Sequence, residues 1–150
     1  MPDIKQCLEI LRENYAVLFP PVNPIAVQQA SVRLVKSGAP AVPADYVAFL
    51  AETNGLFWNG NELFSLNNLD RDKGAFRHCG LLEQAQTVAQ HPMMRKRLWL
   101  GIGVEVMLVY DAGTRQYMVL DRYTYEPVQV FASLTDVLTE WVKPLQKAEG

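Results

Sequence analysis

The sequence predicts an α+β fold: a single domain whose largely antiparallel sheet, of about five to six strands, is flanked by helices. Three observations carry this reading. Apolar residues recur at three- and four-residue steps near both ends of the chain, the spacing of one helical face. Four short β-rich runs separated by turn residues fill the last third. Asn59-Gly60 stands between two apolar runs, a strong two-residue hairpin signal. A chain of 150 residues is one domain by default and can bury about 70% of its unfolded surface.

Taken in order, Asp3 is a good N-cap for a first helix. Its apolar face runs Ile4, Cys7, Leu8, Leu11, Tyr15 and Leu18 until Pro20, Pro21 and Pro24 interrupt it. Asn23-Pro24 reads as a second cap and first helical residue, Gly38 ends that helix, and Val27, Ala30 and Leu34 form its core side. Pro43 opens a third helix reaching about Thr53, with Tyr46, Phe49 and Leu50 as its stripe and Asn54-Gly55 as its stop. Leu56-Phe57-Trp58 is a strand, with the return strand carrying Leu63, Phe64 and Leu66. Residues 67–79 are polar and charged and read as an exposed loop. Residues 81–90 suit a helix stopped by Pro92.

The runs 98–103, 104–111, 115–125 and 128–131 then read as strands, with Ala112-Gly113 at a hairpin tip. Ser133 caps a final helix with Asp136 three residues on, and Leu134, Val137, Leu138 and Trp141 form its stripe. The helices of 1–38 thus precede a motif-bearing helix, hairpin and sheet at 40–142. Tyr46, Phe49, Leu50, Trp99, Leu108, Leu138 and Trp141 are the expected core.

The net charge of −2, with 49% hydrophobic and 20% charged residues, argues against a protein living on phosphate contacts. Cys7 and Cys79 make no disulfide framework, and Cys7 lies on an apolar helix face where a reduced, buried thiol is expected. The first residues lack a signal-peptide pattern, and no apolar run approaches the ~18 residues of a membrane helix. The expected compartment is the cytoplasm, with no membrane partner.

The stretch Pro43-Ala44-Asp45-Tyr46 through Phe49-Leu50 to Asn54-Gly55 resembles the signature of the SUKH superfamily. Those are small bacterial proteins largely assigned as immunity proteins against polymorphic secreted toxins. The later hallmarks are matched in order by Leu100-Gly101-Ile102-Gly103-Val104-Glu105, Leu108-Val109-Tyr110-Asp111, Val119-Leu120-Asp121 and Phe131-Ala132-Ser133-Leu134 through Leu138. The resemblance spans about residues 40 to 142. One departure is the short Gly103-Val104-Glu105, where many members carry a glycine- and acid-rich loop. What the resemblance implies is a non-enzymatic binding protein that neutralises a cognate toxin. The alternative is a regulatory or scaffold module for an endogenous partner.

Residues that could carry chemistry are few. His78 adjoins Cys79, and adjacent strand residues point to opposite faces, which makes a poor catalytic pair. No four-ligand metal spacing occurs. Asp70-Arg71-Asp72-Lys73-Gly74 fails the calcium-loop pattern, since glycine comes fifth and lysine fourth. Gly101-Ile102-Gly103 leads into a strand and suits a turn or close backbone approach. Arg95-Lys96-Arg97 beside Trp99 is the sole basic cluster, too small for nucleic-acid affinity at physiological salt. No enzyme, cofactor or metal is therefore expected. For partner binding the sequence points to Asp121, Tyr123, Tyr125 and Glu126, joined by Asp70 and Asp72. At a hairpin end the two tyrosines would share a face flanked by acids, as a hot spot for a basic partner such as a nuclease would; the alternative for the two tyrosines is cross-strand packing of ordinary β-formers.

Overall fold

The computed structural model describes residues 2–71 and 76–147. Its elements are α1 (Ile4–Glu13), β1 (Val17–Leu18), α2 (Pro24–Lys36), α3 (Ala44–Leu50), β2 (Leu56–Trp58), β3 (Asn61–Leu63), β4 (Leu69–Arg71), β5 (Phe76–His78), α4 (Leu81–Thr87), a 3-10 turn (Pro92–Met94), β6 (Arg97–Ile102), β7 (Val106–Asp111), β8 (Gln116–Asp121), β9 (Pro127–Phe131) and α5 (Leu134–Lys147). Seven strands form one antiparallel sheet in the order β1-β2-β3-β6-β7-β8-β9, and β4 pairs with β5 as a separate hairpin. This is the predicted α+β class with one strand more than expected.

Local signals set most boundaries. Asp3 and Gln6 form a reciprocal capping box on α1, and the Asn23 side chain caps α2 ahead of Pro24. Gly38, at φ 93°, closes α2: its N–H reaches Val35 O and that of Ala39 reaches Leu34 O, a Schellman arrangement. Asn59 and Gly60 both have positive φ, as a type I′ turn requires, and Trp58 pairs with Asn61 across it.

Three expectations need correction. The first helix stops at Glu13, so Tyr15 and Leu18 are not on its face. Asn14 folds back on Ile10 O, Tyr15 takes φ 71° and is 94% exposed, and Val17–Leu18 pair with β2 as the additional strand. Residues 67–79 are not simply an exposed loop. They contribute β4 and β5, and His78 is fully buried because Glu62 and the Leu63 carbonyl, distant in sequence, face its ring. Residues 122–124 form a turn outside β8, so the strand alternation that would have put Tyr123 and Tyr125 on one face does not apply.

The two sheet faces follow from register. Leu108 pairs with Val119 and Tyr110 with Tyr117, and this face packs with Tyr46, Phe49, Leu134 and Leu138 from α3 and α5. Met107 pairs with Leu120 and Val109 with Met118, and that opposite face holds a smaller cluster with Val88 and Met94. Of the expected core, Tyr46, Phe49, Leu50, Leu108 and Leu138 are buried. Trp99 and Trp141 are half-buried and pack against it.

The residues of the Asp-Tyr pair hold this framework together. The Tyr46 hydroxyl donates to Phe64 O at 2.6 Å and lies 3.3 Å from Leu100 O, tying α3 to the sheet interior. Asp45 accepts from the Tyr117 hydroxyl with one oxygen and from the Leu134 N–H, 2.9 Å away, with the other. Its carboxylate thus meets the positive end of α5, beside the Ser133 cap on Asp136 N–H.

Candidate functional site

Three turns meet at one end of the sheet: Asn59-Gly60, residues 103–105 between β6 and β7, and residues 122–126 between β8 and β9. The registers Glu62 with Ile102, Ile102 with Met107 and Val106 with Asp121 bring these strand ends together. Arg122 N–H donates to Glu105 O at 2.9 Å, joining the last two turns. A Cβ on Gly60 would sit 3.5 Å from Val104 Cγ2, which joins the first two. A close backbone approach accounts for Gly101, where a Cβ would fall 2.3 Å from Glu62 O.

The side chains presented there are a mixture of exposed apolar and acidic groups. Val104 is 78% exposed and Tyr123 76%. Exposed Glu105 and Glu126 and half-exposed Asp121 lie on the same turns, with Arg122 as the cation of the group. Asp121 Oδ1 accepts the N–H groups of Tyr123 (2.8 Å) and Thr124 (3.0 Å), which fixes the turn. Those backbone hydrogen bonds hold its carboxyl below the usual aspartate range. Glu105, at φ 60°, and Tyr125, at φ 64°, place non-glycine residues in the left-handed region, which costs about 1–2 kcal/mol each.

Of the residues read from the sequence, Asp121, Tyr123 and Glu126 belong to this surface. Tyr125 does not share Tyr123's exposure. Its ring stacks on His91 at 4.0 Å and 9° and packs against the smaller core cluster. Asp70 lies on β4 opposite Arg77, in a hairpin anchored at β3 with β6 and β7 between that strand and β8. Asp72 lies outside the described residues. Sequence reasoning missed Val104 and Glu105 as surface formers. An apolar residue in a glycine-flanked turn was the available signal. It also missed Val128 and Val130, 62% and 47% exposed on β9, the edge strand that continues from the turn.

His78 is arranged for structure. Its Nε2 lies 2.8 Å from Leu63 O and its Nδ1 3.0 Å from Glu62 Oε1, while Phe19 packs on the ring at 4.7 Å. Glu62 Oε1 also accepts the Cys79 N–H at 2.9 Å. Both ring nitrogens face oxygen atoms, so neither is left to activate the neighbouring thiol. Cys7 is buried, and that burial raises its thiol pKa, the condition of an inert cysteine. Among the described residues no group of three or more His, Cys, Asp or Glu could hold a metal ion, and no helix is long and apolar enough to cross a membrane.

The chain matches no protein-family model, and no curated protein matches its sequence.

Proposed function

We propose that this chain is a SUKH-like immunity protein acting in the cytoplasm, which binds a cognate, basic protein toxin through the three-turn end of its sheet. The observation carrying this reading is the pair of exposed apolar side chains, Val104 and Tyr123, on adjoining turns that also carry Glu105, Asp121 and Glu126. An aromatic anchor inside a charged rim is the composition of a binding hot spot, and acidic rims accelerate encounter with basic partners. The use of Asp45, Tyr46 and His78 in holding the framework supports a role by binding in place of chemistry.

The test is copurification from the native host of the parent chain and of a Val104→Ala/Tyr123→Ala variant, followed by binding kinetics with the captured protein. A toxic partner inhibited at one-to-one stoichiometry is expected. The double variant should dissociate faster, losing about 2–4 kcal/mol, with its melting temperature unchanged. Reversing Asp121 and Glu126 to lysine should slow association, most at low salt. A housekeeping partner on the same face would make the chain a regulatory module. Unchanged kinetics in the double variant would move the site elsewhere.

A further inference from the structure

A second surface lies apart from the three turns. The C-terminal end of α2, the end of α4 and residues 91–97 enclose a cleft of about 270 Å³. Its apolar wall includes buried Val88 and Met94 and half-buried Trp99, whose indole N–H is engaged by Gly101 O at 2.8 Å. Its polar wall carries three cationic side chains, Arg95, Lys96 and Arg97, beside Gln86, Gln90 and His91. Arg97 is neutralised by Asp111 at 2.9 Å. Arg95 and Lys96 are exposed and have no ion-pair partner among the described residues. No carboxylate among the described residues lines the cleft.

Two neighbouring features sharpen the preference for an anion. The α2 carbonyl end, which would repel one, is spent internally, because Leu34 O accepts from Ser37 Oγ and Ala39 N–H and Val35 O from Gly38 N–H. The His91 Nδ1 accepts the Met93 N–H at 3.1 Å, which assigns the ring's proton to Nε2, and stacking on Tyr125 fixes the ring plane. Unpaired charges beside apolar walls that exclude part of the water attract an anion more strongly than they would in bulk solvent.

We infer that this cleft binds a small organic anion, a phosphate or carboxylate carried on a ring-sized apolar body, with Arg95 and Lys96 holding the anionic group and Val88, Met94 and Trp99 the body. The cationic wall demands the charge. The apolar wall, which inorganic phosphate would leave uncovered, demands the body.

Titration of the ¹⁵N-labelled protein with phenyl phosphate, benzoate, inorganic phosphate and benzyl alcohol tests this. Saturable amide shifts at residues 37–39 and 85–97 are expected for phenyl phosphate or benzoate at roughly millimolar concentration. The tighter of the two identifies the anionic group. Arg95→Gln/Lys96→Gln, at two exposed positions, should weaken that binding about tenfold or more, as expected when charge-assisted hydrogen bonds are removed. Lys96→Arg should retain it. The inference is overturned if neither aryl anion saturates, if inorganic phosphate or benzyl alcohol binds equally well, if the shifts lie elsewhere, or if the double Gln variant binds as the parent does.

Discussion

Replacing Asp45 with alanine should loosen three elements at once. The change leaves the Tyr117 hydroxyl, on a residue only 2% exposed, and the Leu134 N–H without their acceptor, and removes a negative charge from the start of α5. Hydrogen bonds to a charged group contribute about 1.5–3 kcal/mol each. Asp45 itself is half-exposed, so water can replace part of the loss, and about 3 kcal/mol in total is the expected cost. For a chain of this size that lowers the melting temperature by roughly 6–12 °C. Urea unfolding followed by tryptophan fluorescence should show an earlier midpoint with an unchanged slope. A double-mutant cycle isolates the pair: Asp45→Ala and Tyr117→Phe should couple by about 1.5–3 kcal/mol. If Asp45→Ala falls within about 0.5 kcal/mol of the parent, or the two changes simply add, Asp45 is not the link between α3, β8 and α5.

The same packing sets other outcomes. Gly38 and Gly55 share a left-handed φ, yet a Cβ on Gly38 meets nothing while one on Gly55 meets His78 Nε2 and Leu63 O at 2.8 Å and Ser65 N at 2.9 Å. Calorimetry should therefore find Gly38→Ala costing about 1 kcal/mol and Gly55→Ala far more, and equal costs would refute the packing account. Burial, and then the Glu62 charge for Tyr46 and the Asp45 hydrogen bond for Tyr117, raise both phenol pKa values. Their stabilising effect is complete below about pH 10, where unfolded phenols keep their protons, and is lost as pH rises beyond it. Tyr117→Phe should flatten that alkaline decline in a pH series of urea midpoints. For Asp111, burial acts upward but is outweighed by Arg97 and the Thr114 and Gly113 N–H groups, leaving a lowered pKa. Its stabilisation is present above about pH 4 and is lost as pH falls, and Arg97→Met should shrink that acid-side loss. Glu105→Gly should relieve left-handed strain and stabilise the fold by about 0.5–1 kcal/mol, while slowing association with a basic partner.

How much was legible varies with the range of the interaction involved. Asp3, Asn23, Gly38, Asn59-Gly60 and Ser133 act on backbone groups within five residues of themselves, so caps and turns could be read directly. The helical and strand stripes likewise declared most of the core. The three-turn end of the sheet was half visible. Asp121, Tyr123 and Glu126 share one short segment, whereas Val104 and Glu105 reach it only through the pairing of β6, β7 and β8.

Sequence by itself determined the α+β class, the order of the helices and of the main strands, and the burial of Tyr46, Phe49 and Leu50, because these rest on local periodicity and backbone preference. Tertiary structure decided what polar residues do. His78 became a buried residue because Glu62 and Leu63 O meet its ring from another strand, and Tyr125 became a packed residue because His91 lies beneath it. Arg95 and Lys96 came to face an apolar cleft that other elements close. A polar side chain carries no record of its eventual partner, and desolvation is tolerable only where the fold supplies one.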